Sequence, residues 1–193
     1  GHRFPISASG EKLRANIASR SSQLKQLEID QLQLQKLIEQ INRAIADIPT
    51  AMQRSPFGLQ LGKLPMPVIG QITDRFGSRY GDGDLIRQGI TIAVSEGTPV
   101  QAIHPGRVVF SDWLRGTGLL VIVDHGQGYM SLYGANQALS KQAGDWVGAG
   151  DVVATSGMVN ELTGSRDISQ TPGMYFEIRH HGEAQNPARW FSE

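Results

Sequence analysis

Gly173-Met174-Tyr175-Phe176-Glu177-Ile178-Arg179 sets aromatic and β-branched residues between turn formers, the composition of a β-strand. Alternation puts Met174, Phe176 and Ile178 on one face, and Gly173, Tyr175, Glu177 and Arg179 on the other. The apolar row predicts a core beneath the strand. The second row lines up a phenol, a carboxylate and a guanidinium, and predicts a polar surface above it.

Similar short runs precede this strand: 68–72, 90–93, 100–103, 107–110, 119–123, 130–133 and 151–154. Nineteen of the 23 glycines lie in residues 67–193 and punctuate these runs. Many short strands at close spacing predict an all-β domain, a sandwich or a barrel, and about 125 residues suffice for one core.

The chain before residue 67 has a different character. Residues 11–48 contain no Gly and no Pro. Leu13, Ile17, Leu24, Leu27, Leu34, Ile38, Ile41, Ile45 and Ile48 recur at alternating spacings of three and four, with only Arg20 and Gln31 breaking a ladder of eleven positions. That pattern predicts a coiled-coil type of helix over 9–48, with Ser9 as N-cap and Pro49 as its stop, roughly 57 Å long. Ile29, Leu32 and Leu37 lie off the seam and widen the apolar stripe. Such a helix needs a partner: an upstream antiparallel helix, a second copy of the chain, or the neighbouring domain. Prolines and glycines make 49–66 a linker.

The bulk numbers exclude several classes. The 193 residues carry 18 basic and 18 acidic side chains, so no overall charge draws the chain to nucleic acid. There is no Cys, which removes disulfides and thiolate metal sites. No apolar run is long enough to span a bilayer. Gly1-His2 reads as the scar of a cleaved tag on an unstructured start of residues 1–8, and so the chain as a piece of a longer exported protein.

A family resemblance covers the whole region from residue 67. Val68-Ile69-Gly70 with Arg75-Phe76-Gly77, Gly97-Thr98-Pro99-Val100, Asp124-His125-Gly126, Ser131-Leu132-Tyr133-Gly134, Gly144-Asp145-Trp146-Val147 and Asn186-Pro187 follow the order and spacing of LytM-type (lysostaphin-like) zinc endopeptidases. The fold this implies is a mainly β, antiparallel LytM-type sheet domain preceded by the long helix. In that family the strand quoted above reads His-x-His-Phe-Glu-Ile, and an earlier strand reads His-x-Gly-x-Asp. The chain has Gly173-Met174-Tyr175-Phe176-Glu177-Ile178 and Arg87-Gln88-Gly89-Ile90-Thr91. The resemblance thus puts Arg87, Thr91 and Tyr175 in the places of the three zinc ligands, and Gly173 and Ala135 in those of two assisting histidines. A permanent cation at 87 opposes Zn²⁺. Neither a metal nor any other cofactor is expected.

The chain resembles the metal-less LytM domains of EnvC-like murein hydrolase activators. What this implies is a non-catalytic role in the Gram-negative periplasm at the division septum. The emptied groove would bind a zinc-dependent peptidoglycan (N-acetylmuramoyl-L-alanine) amidase, and the coiled coil would engage the FtsEX complex. The groove expected from the two strands consists of Arg87, Gln88, Thr91, Thr117, Leu120, Tyr175 and Arg179, with the helix as an arm that covers it until released. Tyr175 and Arg179 are residue types enriched at interface hot spots; the bland alternative is that Tyr175 fills the metal's volume and Arg179 pairs with Glu177.

Two other functions compete. One is a peptidoglycan-binding module, the other an active zinc endopeptidase with a hidden site. For the latter the five histidines are poorly placed: His2 belongs to the tag, His104 precedes Pro105-Gly106, His125 ends a strand in a structural role, and His180 and His181 are adjacent. Asp82 and Asp84 read as a solvated loop rather than a calcium site.

Overall fold

A computed structural model describes residues 8–45, 56–80, 83–162 and 168–192. Helix α1 (Ala8–Ile45) is followed by ten strands: β1 (Gln71–Asp74), β2 (Ile90–Ala93), β3 (Pro99–Gln101), β4 (Gly106–Leu114), β5 (Gly118–Gly126), β6 (Tyr129–Leu139), β7 (Trp146–Val147), β8 (Val152–Leu162), β9 (Ile168–His180) and β10 (Glu183–Gln185). Every pairing is antiparallel, and the strands join in one sheet of order β1-β2-β9-β8-β6-β5-β4-β7, with β10 on β9 and β3 on β8. The antiparallel β domain with a preceding helix is the one expected. The helix takes Ser9 inside its first turn; Pro49, the expected stop, and Asp82 lie outside the described residues.

β9 changes neighbours midway. Residues 168–173 pair with 157–162 of β8 as a hairpin, and the strand then runs along β6, with β2 and after it β10 on the other edge. This second half is the strand quoted at the outset. Met174, Phe176 and Ile178 are fully buried in the main core with Ile90, Ile92, Val121, Val123 and Tyr133. Phe57 and Leu64, from the segment read as a linker, close the far side of that core with Trp190 and Phe191. A short 3₁₀ turn (Phe57–Gln60) and a bridge between Leu64 and Phe191 hold them there.

The opposite face of the sheet has a second core. Leu120, Ile122, Met130 and Leu132 meet Leu34 and Ile38 of α1, with Leu37, Ile41 and Ile45 packed around them. β5 is therefore apolar on both faces, because it is sandwiched: Val121 and Val123 point one way, Leu120 and Ile122 the other. Of the three partners open for the helix, its own domain takes the C-terminal half of the seam. Ile29 and Leu32, off the seam, stay 48% and 56% exposed.

His125 has the structural role expected at a strand end. Nδ1 lies 2.8 Å from the Pro105 carbonyl, and Nε2 lies 2.6 Å from Ser131 Oγ. Because a carbonyl only accepts, Nδ1 carries the proton and Nε2 accepts from Ser131. Ser131 and Tyr133 share a 2.8 Å bond, and the Ile103 N–H donates to Tyr133 Oη. Burial pushes the pKa of His125 down to about 3, so the ring is neutral, and pushes that of Tyr133 up to about 12.

Candidate functional site

The register of β9 assembles the site. Tyr175 stands opposite Thr91 on β2 and Gly134 on β6. Arg87 leads into β2, and Ala135 follows Gly134 with a left-handed φ of 60°. β2 reaches β9 this closely because residue 89 is glycine. A Cβ there would lie 2.5 Å from the Phe176 carbonyl oxygen and 2.6 Å from Glu177 Cγ.

The result is a groove on the face of the sheet turned to α1. The middle of the helix, residues 23–34, roofs it, leaving a cavity of about 380 Å³. Gln23, Gln26, Leu27, Asp30 and Gln31 form the roof, and Thr91, Ala135, Tyr175, Glu177 and Arg179 the floor. The turn at 116–118, between β4 and β5, walls one side.

A buried polar network runs through this floor. Glu177 is fully buried and Arg179 is 3% exposed. Glu177 Oε1 accepts from Arg179 Nε at 2.7 Å, and Oε2 accepts from the Tyr175 hydroxyl at 2.5 Å. Arg179 Nη1 donates to Gln35 Oε1 of α1 at 2.6 Å and to the Gly182 carbonyl at 3.1 Å. Burial, and then the neighbouring Glu177 carboxylate, push the Tyr175 phenol well above its usual range, so it remains a donor. The pair and its hydrogen bonds leave no unpaired charge, which is what a buried carboxylate requires.

Arg87 is engaged on the opposite wall. It donates to the Arg79 carbonyl at 2.6 Å and to Ser78 Oγ at 3.2 Å. Its guanidinium lies 3.7 Å from Asp74 Oδ1 and 4.3 Å from the centre of the Tyr80 ring. Burial raises the pKa of Tyr80, and the nearby Arg87 charge opposes the rise.

The sequence-predicted groove residues Arg87, Gln88, Thr91, Thr117, Tyr175 and Arg179 line this one cavity. Leu120 stands apart from it, buried beneath Leu34 and Ile38 in the second core. Gly173 pairs with Gly157 in the β8–β9 hairpin and is not part of the lining. Arg179 does pair with Glu177, as its bland alternative had it.

Glu177 as the hub, and Asp74 and Tyr80 as partners of Arg87, were not singled out from sequence. Glu177 shares the face of Tyr175 and Arg179, which was the available signal. For the roof, the signal was the break in the helix ladder: Gln31, polar at a seam position, donates to the Ile86 carbonyl at 3.0 Å across the groove.

The residues in the family's ligand places do not fit zinc. Arg87 has only donors and Thr91 and Tyr175 have neutral hydroxyls. The one carboxylate on the floor, Glu177, already accepts with both oxygens. Among the described residues, no group of three or more His, Cys, Asp or Glu is placed to hold a metal ion. Asp84 lies 3.9 Å from Arg79 and is fully exposed.

Comparison with known proteins identifies the family and the fold. Residues 86–187, more than half of the chain, match the model of Peptidase family M23. The chain is 44% identical over 133 residues to the murein hydrolase activator EnvC of Escherichia coli K12, covering 69% of this chain and 30% of that protein. It is 34% identical over 128 residues to the murein hydrolase activator NlpD of the same organism, covering 66% and 31%. A zinc-containing peptidase from Vibrio cholerae superposes with a TM-score of 0.54 at 23% identity, over 63% of this chain and 37% of that one, a likeness of fold alone. The chain thus spans about three-tenths of the length of these curated relatives.

Proposed function

The chain belongs to peptidase family M23, and we propose that it is a non-catalytic member that activates zinc-dependent peptidoglycan amidases. One observation carries the reading. The positions that would hold and assist a metal carry Arg87, Thr91, Tyr175, Gly173 and Ala135, and the first and third of these are committed to a hydrogen-bonded protein network. No step through zinc is derived from such a set. Two relatives named murein hydrolase activators support the direction in which the groove was put to use.

In this reading the groove is a docking surface. Gln88 and Thr117 lie at its rim, and Thr91, Tyr175 and Arg179 form its floor. Glu177 holds Tyr175 and Arg179 in position, so the surface is pre-organised before a partner arrives. The stretch of α1 over the groove occupies the space the amidase needs, and its displacement is the activating step. The further setting follows the EnvC likeness: the periplasm of a Gram-negative cell at the division septum, with the coiled coil engaging FtsEX.

The test is binding of a purified zinc amidase to the full chain, measured by calorimetry, against a Gln88→Ala/Thr117→Lys rim variant. The expected result is binding that weakens at least tenfold in the variant while its melting temperature is unchanged. Equal binding by both would remove the groove from the account.

A further inference from the structure

Helix α1 changes character at Leu34. From Leu34 onward it is part of the core: Leu34 and Ile38 are buried against Leu120, Ile122, Met130 and Leu132, and Leu37, Ile41 and Ile45 pack beside them. Between residues 21 and 33 no side chain is buried. That stretch crosses the cavity instead of filling it, and polar side chains hold it to the domain, with Gln31 bonding the Tyr80 side chain among them. Gln31 bonds the Ile86 carbonyl at an exposed site, and Asp30 lies 3.8 Å from the largely exposed Arg115. Leu24 rests against Gly83, and Asp30 against Gly116. No Gly or Pro marks a joint, since residues 11–48 contain neither. The boundary is set by what lies beneath the helix: an apolar sheet face on one side, a polar cavity on the other.

We propose that α1 is two devices in one helix. Residues 34–45 are a permanent anchor, and the stretch before Leu34 is the movable latch; the groove opens by breaking the helix near residues 33–35 and not by lifting it whole. This rests on the reading of the groove as the amidase site, and it adds where the moving part ends. Local opening draws on the segments with the fewest buried apolar contacts, and an apolar anchor that leaves with the latch would expose the whole second core. Gln35, bonded to both Arg179 and Gly182, sits at the break and keeps the floor in register while the latch moves.

Hydrogen exchange on the full chain, followed by mass spectrometry, tests this without any partner. Amides of residues 23–32 should exchange at least 100-fold faster than those of 36–45, and the latter should match the exchange of β5 and β6. Protection equal within threefold along the helix would overturn the proposal. A second arm adds a purified zinc amidase. Faster exchange confined to 23–32 supports the latch, and a rise that includes 36–45 overturns it. Failure of the amidase to bind at all would sink the proposed function, while the partner-free comparison would still decide where the helix opens. Leu27→Ala serves as the variant control: it should speed exchange of 23–32 alone and leave 36–45 and the sheet as they are.

Discussion

Ile38→Ala should separate a helix that belongs to the domain from one that merely waits for a coiled-coil partner. The Ile38 side chain is fully buried between Leu120, Ile122, Met130 and Leu132. Truncation to Ala removes three carbons, about 2.4 kcal/mol of transfer free energy, and leaves a cavity that raises the cost to about 3 kcal/mol. For a chain of this length that corresponds to a fall in melting temperature of about 6–12 °C. Ile29, 48% exposed on the outer face, is the matched control and should change stability by less than about 0.5 kcal/mol on the same truncation. Thermal and urea denaturation of both variants, followed by circular dichroism at two protein concentrations tenfold apart, gives the comparison. Equal and small losses for Ile38 and Ile29 would refute the docked anchor. A melting temperature that rises with concentration would show that a second copy of the chain covers the seam instead.

Three further outcomes follow from the buried groups. His125 is neutral in the fold, its pKa lowered to about 3. The unfolded chain takes up a proton below about pH 6.5 that the folded one refuses, so this contribution is complete above that pH and is lost as pH falls toward 3. It amounts to about 2 kcal/mol by pH 5, and a His125→Asn variant should lose that much less between pH 7.5 and 5 in urea titrations. Glu177→Ala leaves the Arg179 guanidinium buried without its counter-ion, and should cost about 3–5 kcal/mol by the urea midpoint. Gly89→Ala puts a methyl 2.5 Å from the Phe176 carbonyl oxygen; it should destabilise by about 1–3 kcal/mol and speed amide exchange in β2.

Much of this arrangement is legible residue by residue. The strand at 90–93 appears with the bounds expected, because Ile90 and Ile92 are buried within one run. The stretch 174–179 faces its core and its groove as alternation predicted. Other strands run longer than their apolar cores. The β8–β9 hairpin escaped notice because Asn160, Gln170 and Pro172 are exposed, and a ladder in solvent needs no apolar period. The entry strand lies a few residues later than 68–72; Ile69 is 97% exposed, while Val68 and Ile72 pack on the core at either side of it.

The groove was legible through the order of the family's motifs, which brings Arg87, Thr91 and Tyr175 together. Its closure was harder to read. Gln31 looks like a flaw in an apolar seam until Ile86, 55 residues away, is placed beneath it. Gln35 lies 144 residues from Arg179, and nothing local to either announces their bond.

The most direct measurement is dye release from labelled peptidoglycan sacculi with the chain alone, with a zinc amidase alone, and with both. The expected result is no release by the chain alone and a strong rise over the amidase alone when both are present, sensitive to the Gln88→Ala/Thr117→Lys rim variant. Release by the chain alone, abolished by a chelator, would contradict it and return a metal to this groove.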